Sequence, residues 1–244
     1  MEVPLRSEKL AELIARQIVE DVLRDGLEPG TRLPPERQMV ARFKVGRATL
    51  REALRILEVH GLLTMKAGPT GGPYVREMTA QNLARIASLH YKVAGAKVGH
   101  VWEARAMVEP MMARRVAEMC SEAVKTELTD LLEESKDLDP DDEAGHIRIG
   151  SAFHKVIASR SGNPLLDLFA RSLGDVTSFL ATRAVFPKEA RNHVMHDHQA
   201  IAAAIMAGDA DQAERLMKLH MQDMLASQTG RDPEALGAPI PYIL

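Results

Sequence analysis

The sequence is poor in cysteine and in aromatic residues. One cysteine, Cys120, in 244 residues leaves no internal disulfide to form, which fits a reducing compartment. Aromatics make up 4% of the chain while methionine reaches 13 residues and alanine is abundant. That balance favours helices over a β-sandwich. Long apolar runs are missing too. The longest, residues 201–207, falls far short of the ~18 needed to cross a bilayer. The opening MEVPLRSEKLAELIARQ has no apolar signal core, so a cytoplasmic location and no membrane partner are expected. A content of 45% hydrophobic and 27% charged residues excludes collagen-like and disordered chains. The length suits one large domain or two smaller ones.

Charge is unevenly placed. Residues 32–76 hold nine Lys and Arg against three Asp and Glu, a net +6, so the rest of this −3 chain carries −9. A basic island on an acidic protein is the footprint of a polyanion-binding site. A merely solvated charged face is the competing explanation.

Punctuation divides the chain further. An apolar stripe of Leu10, Leu13, Ile14, Ile18 and Val22 predicts a first helix, capped at Ser7 and ended by Gly26. LEPGTRLPP reads as a turn-rich connector. A short second helix over 35–42, the turn FKVG and a third helix over 47–60 follow, with Gly61 as its stop. Extended pieces at 62–66 and 73–76 flank the glycine-rich AGPTGG. This order is a winged helix-turn-helix over residues 1–76. EMTAQ opens a linker and connecting helix over 77–97. Helical stretches at 80–94, 98–119, 121–138, 142–161, 163–185, 188–207 and 209–228 are separated by short turns. They predict an antiparallel bundle of six or seven helices, with an effector-binding domain at 98–230. The proline-rich RDPEALGAPIPYIL predicts a flexible tail over 231–244. The fold class expected is therefore mainly α.

Arg47, Arg51 and Arg55 recur at i, i+4 and i+8, a basic stripe on the third helix. Leu50, Leu54 and Leu57 lie on a different face, suited to a core. The helix start adds free backbone N–H groups and the positive end of the dipole. Arginine can bond guanine O6 and N7 in the major groove, and Thr49 can touch a thymine methyl or a phosphate. Arg37, on the preceding helix, is placed to reach the backbone or a base edge. An exposed helix laced by ion pairs to Glu52 and Glu58 is the alternative.

The segment LPPERQMVARFKVGRATLREALRILEVHGLLTMKAGPTGGPYV resembles the DNA-binding domain of the GntR superfamily of bacterial regulators. The resemblance implies DNA contacts by Arg37, Arg47, Arg51, Thr49 and the wing, with Lys66 and Gly68 at its tip. Two positions depart from the family pattern. Gly46 replaces the usual Ser or Thr before the first recognition arginine, and Ala48 stands where a hydroxyl is common. The lost cap hydroxyl costs only tenths of a kcal/mol, roughly, but removes a candidate phosphate contact.

WEARAMVEP, FHKVIASRSGNPLL and DHQAIAAAIMAGDADQAERLMKLH resemble the C-terminal ligand-binding (FCD) domain of the FadR branch. Spacing alone brings histidines together there. His198 lies ten residues before Gly208 and His220 twelve after it. If Gly208 is a tight turn, both sit about 15–18 Å from it on neighbouring helices. His154 borders the apolar face of Phe153, Val156 and Ile157. Three inward imidazoles can hold a divalent metal, zinc or nickel, with open positions for a ligand. Each as an ordinary hydrogen-bonded core histidine is the bland alternative. The resemblance implies the same three metal ligands plus an acid four residues before the first, a position held here by Gly150. His193 and His196, at a helix start, read either as groups supporting the metal-site histidines from behind or as solvent-facing groups.

The resemblance also places Arg105 in the ligand cavity, where it can bind an effector carboxylate; an ion pair with Glu109 at i+4 is the alternative. Met107, Met111, Met195, Met217, Met221 and Met224 can line an adaptable pocket or fill core. The expected protein is a homodimeric DNA-binding regulator, a repressor whose operator affinity changes with a carboxylate, fatty acid or acyl thioester. A metal-dependent enzyme built on the three histidines and a non-specific nucleoid-binding protein are the rivals from other classes.

Overall fold

The computed structural model describes residues 5–68, 71–139, 141–181, 187–231 and 233–243. The chain divides into two compact units, residues 1–82 and 83–244.

The first unit contains α1 (Leu5–Arg24), α2 (Glu36–Phe43), α3 (Arg47–Val59), β1 (Leu63–Lys66) and β2 (Gly72–Val75). The buried stripe of α1 is Ala11, Ile14, Ala15, Ile18 and Val22. Leu10 and Leu13, expected to be core, are 41% and 57% exposed. The small Ala11 and Ala15 take the contact face instead, and α1 packs closely on α3. Helicity also begins before Ser7, so Ser7 is not the cap. Pro35, with φ −54°, starts α2, and Lys44 ends it in the left-handed conformation, φ 54°. Buried Asp21 on α1 binds Arg42 of α2 at 2.5 Å and Arg24 at 3.0 Å. Leu50, Ala53, Leu54 and Leu57 of α3 complete the core.

Gly61 follows α3 with φ +86°, and a side chain there would meet Asn82 at 3.0 Å. The left-handed backbone favours glycine there, and the Asn82 side chain would have to shift to admit a larger residue. β1 and β2 pair antiparallel from Leu63↔Val75 to Lys66↔Gly72. The connector 30–33 is more than a turn. It lies along β2, with Leu33 N donating to Pro73 O and Val75 N to Thr31 O. The wing thus gains a third extended segment, bridged at Arg32↔Tyr74.

The second unit is helical. It holds α4 (Ala80–Val93, whose first residues belong to the first unit), α5 (Val98–Met119), α6 (Glu122–Lys136) and α7 (Glu143–Arg160). It continues with α8 (Pro164–Ala181), α9 (Lys188–Met206), α10 (Ala210–Arg231) and α11 (Pro233–Gly237). Residues 182–186, the end of the stretch expected as helix to 185, lie outside the described residues. Ser121 caps α6 by accepting from Val124 N, and Asp142 caps α7 by accepting from Gly145 N. α5 is the axis of the bundle and packs on α7, α8, α9 and α10. The core joins Met112 and Val116 of α5 to Phe153 and Ile157 of α7, Ile201 and Ile205 of α9, and Met217 and Met221 of α10.

The expected flexible tail is a correction. α11 forms, and Ile240 and Ile243 are 1% and 7% exposed in a cluster with Ala84, Val101, Leu173 and Val176. The prolines of this segment suit an extended chain, and its isoleucines supply apolar surface that anchors it.

Candidate functional site

Two sets of residues stand out, one in each unit. In the first, Gly46 precedes α3 with φ −69° and no side-chain cap, and the first turn carries no acid. The N-terminal N–H groups of α3 are thereby left to an outside anion. Arg47, Arg51 and Arg55 are all exposed, as are Arg37, Lys66 and Gly68, while Thr49 is half-buried. Arg51 pairs with Glu36 at 3.0 Å, not with Glu52 or Glu58. Among the described residues, Arg37, Arg47 and Arg55 enter no ion pair with an acid. Two of the three α3 arginines, Arg47 and Arg55, are thus left to solvent or to an outside anion. Lys66 stacks its ammonium 4.2 Å above the Tyr74 ring, which fixes it on the wing. Gly68 has φ +100°. Pro69 and Thr70 beyond it lie outside the described residues. Arg32, which sequence reasoning passed over, donates to Gly71 O at 2.5 Å and braces the wing tip. A side chain at Gly71 would meet Lys66 O at 2.5 Å, so the tip closes only around glycine.

In the second unit, α7, α9 and α10 bring His154, His198 and His220 together. One ring nitrogen from each falls within 4.8 Å of the others. His198 Nε2 and His220 Nε2 are 3.3 Å apart, close to the ~3.4 Å edge of a tetrahedron with 2.1 Å bonds. Each imidazole has its own brace. His220 Nδ1 meets Asp197 Oδ2 at 3.1 Å. His154 Nδ1 lies 2.5 Å from Glu109 Oε2. Phe153 stacks on His198 at 4.1 Å between centroids. The Asp197 carboxylate on His220 Nδ1 fixes that ring's tautomer and leaves its Nε2 free for the centre. The Glu109–His154 contact is short but outside hydrogen-bond alignment, so both atoms are buried without a satisfying partner.

Burial lowers the pKa of His154, against the pull of Glu109, and lowers that of His198 well below the ordinary value, helped by its neighbouring histidines. Neutral imidazole is the form that binds metal. Burial acts to raise Glu109, but Arg105 and His154 outweigh it and hold this carboxyl well below the usual range. Asp197 is likewise lowered: burial raises it, and His220 more than compensates.

Gly150 lies one turn before His154 on α7. A Cβ there would have only His198 Cε1 and Met195 Cε near it, at 3.8 and 3.9 Å. The position of the absent acid is therefore open space beside the imidazoles. It forms part of a cavity of about 420 Å³ that also takes in Trp102, Arg105, Thr177 and Met224, a size suited to a small molecule. The ion pair expected between Arg105 and Glu109 forms within the cavity lining. Arg105 lines the cavity, and it pairs with Glu109 at 2.5 Å while donating to Thr177 Oγ1 at 2.8 Å. The methionine set divides. Met195 and Met224 line the cavity, Met217 and Met221 are core, and Met107 and Met111 face outward. His193 and His196 are largely exposed. Glu109's bracing role and Asp197 were missed in the sequence. The signal was each acid's helical register: Glu109 four residues after Arg105, and Asp197 on the side of α9 that meets α10.

A winged helix-turn-helix with an exposed arginine stripe, followed by a helical domain holding a polar-centred cavity, is the plan of a DNA-binding regulator. The chain belongs to the GntR family of bacterial regulatory proteins, whose model matches residues 10–70, with an FCD domain matching residues 100–223. It is 28% identical over 235 residues to the HTH-type transcriptional repressor NanR of Cronobacter sakazakii, covering 92% of this chain and 87% of that one. The NanR of Salmonella arizonae is 29% identical over 236 residues, covering 92% and 86%. A Streptococcus agalactiae GntR structure shares the fold with a TM-score of 0.74 at 22% identity, over 89% of this chain and 99% of that one. These findings make the chain a transcription regulator and set aside the metalloenzyme and nucleoid-protein readings. No described helix is long and apolar enough to cross a membrane.

Proposed function

We propose that this protein is a cytoplasmic, homodimeric repressor that releases its operator when a small carboxylate-bearing effector enters the helical domain. Two-fold symmetry of the dimer calls for a palindromic operator with half-sites about one helical turn apart. Arg47 and Arg51 read bases, Thr49 and the α3 N-terminus hold phosphate, Arg37 supports them, and Lys66 and Gly68 approach from the wing. The similarity to proteins named repressors supports the sign of regulation. The effector acts by binding two arrangements of the protein unequally.

His154, His198 and His220 hold one zinc or nickel ion in this reading, which offers a Lewis-acidic position to an effector carboxylate. The observation that carries it is the bracing of two imidazoles by Glu109 and Asp197, beside open space at Gly150. Arg105 and Thr177 orient the rest of the head group. Elemental analysis of untagged, unchelated protein tests it. About one metal per chain is expected in the parent and essentially none in His198→Ala, with the helical content of both unchanged. Equal metal content in the two would exclude His198 as a ligand.

A further inference from the structure

The C-terminal residues touch two things at once. On one side they close the cavity: Ala235, Leu236, Ala238, Pro239 and Pro241 all line it. On the other they grip α4. Ile240 and Ile243 pack with Ala84, and Ile243 N donates to the fully buried Ser88 Oγ at 3.1 Å. The segment is fixed along its length by Val98 N donating to Ala238 O at 3.0 Å and Ile240 N to Ala96 O at 3.2 Å. Pro239 and Pro241 line the cavity, as Ala238 does, while Ile240 between the prolines is buried in the cluster of Ala84, Val101, Leu173 and Val176. The strap is a two-sided partition, and its prolines make it stiff.

α5 gives the scale. Val98, which holds the strap, and Glu109, which holds His154, are eleven residues apart on one helix, about 16 Å. Trp102 and Arg105 lie between them. The cavity therefore runs from a polar head site at the imidazoles to an apolar end wall at the strap. A ligand long enough to fill it presses on Pro239 and Pro241. α4 is also the helix by which the chain leaves the DNA-binding unit, since it begins at Ala80.

We propose that residues 238–243 form the end wall of the effector site, take the apolar body of an amphiphilic carboxylate, and convey its presence to α4 through Ile240 and Ser88. This rests on the reading of the cavity as the effector site. Hydrogen exchange of the full chain, with Trp102 emission as the reporter of binding, tests it with decanoate as the probe and acetate as the head group alone. Decanoate is expected to change Trp102 emission and to alter exchange at least threefold in both 238–243 and 83–93. Acetate is expected to alter neither segment.

Ile240→Ser keeps the cavity face and loosens the α4 face. It is expected to retain the decanoate response of Trp102 within about threefold while losing the response of α4. Ser88→Ala, a milder change, is expected to weaken the α4 response if Ile240→Ser does not fold. A decanoate response at Trp102 without one at α4 in the parent overturns the proposal, as does a full α4 response in both variants. No decanoate response at all also overturns it. In that case zinc retained in parent and lost in His198→Ala leaves the head site standing, and zinc absent from the parent removes both.

Discussion

The two units keep their functional side chains in opposite states. On α3 the arginines are exposed and, among the described residues, two of the three have no acid partner. In the helical unit Arg105, Glu109, His198 and His220 are all at most 5% exposed and each has a partner. The difference follows from the ligands. A phosphate backbone brings its own charge to a solvated surface, so DNA-facing arginines need no internal partner and cost little while they wait. A charge inside a bundle has no water to fall back on, so it must be satisfied before any effector arrives. Loss of a charge should therefore damage binding in the first unit and folding in the second.

The largest expected effect is at Glu109. Glu109→Gln leaves the Arg105 guanidinium buried with no opposite charge, which should destabilise the helical unit by about 3–5 kcal/mol. Trp102 is the chain's one tryptophan and lies in that unit, so urea unfolding followed by its emission isolates the effect from the DNA-binding unit. The double variant Arg105→Leu with Glu109→Leu removes both charges and should be distinctly less damaged than Glu109→Gln. Equal losses would mean that the pair holds the bundle by packing, and the contrast between units would fail.

Arg47→Ala and Arg51→Ala should show the reverse. Each is expected to weaken operator binding by about 1–3 kcal/mol at fixed salt. The thermal stability of the first unit should move by no more than about 0.5 kcal/mol, because the ion pair at stake among the described residues, Arg51–Glu36, is exposed. Unchanged affinity in both variants would remove α3 as the reading helix.

Asp197→Asn tests whether bracing in the helical unit serves metal as well as folding. Asp197 is only partly buried, so its loss should spare stability. Metal affinity should nevertheless fall by about 10–100-fold, since His220 loses the carboxylate that orients its ring. An unaltered zinc titration would reduce Asp197 to a surface acid.

Much of this was legible in the sequence, for identifiable reasons. Glycines and prolines at helix ends placed α2 to α10 within a few residues. The ten- and twelve-residue offsets about Gly208 brought His198 and His220 to one depth. The misses arose where composition was read without its partner surface. Leu10 and Leu13 are large and apolar, yet Ala11 and Ala15 make the contact because close helix packing favours small residues. The proline-rich C-terminus looked unstructured because its anchors, Ser88 and Ala96, are distant in sequence. Glu109 was legible as a partner of Arg105 but not as a brace for His154, since that contact joins α5 to α7.

The smallest effect sharpens the contrast most. Gly46 starts α3 in an extended conformation with nothing within 4 Å of an added Cβ. Gly46→Ser therefore fits without strain and supplies a hydroxyl to the orphan N–H groups of the first turn. Serine exceeds glycine as a cap by only a few tenths of a kcal/mol, roughly, so thermal unfolding of the first unit should barely move. Operator affinity is a separate matter, because the same hydroxyl sits where the helix start meets a phosphate. If the N-terminus of α3 faces DNA, affinity should change by more than stability does, and the change should persist across operator sequences, since phosphate contacts carry no base information. A shift in stability with none in affinity would mean that the cap serves the helix alone and that the arginines meet DNA without help from its N-terminus.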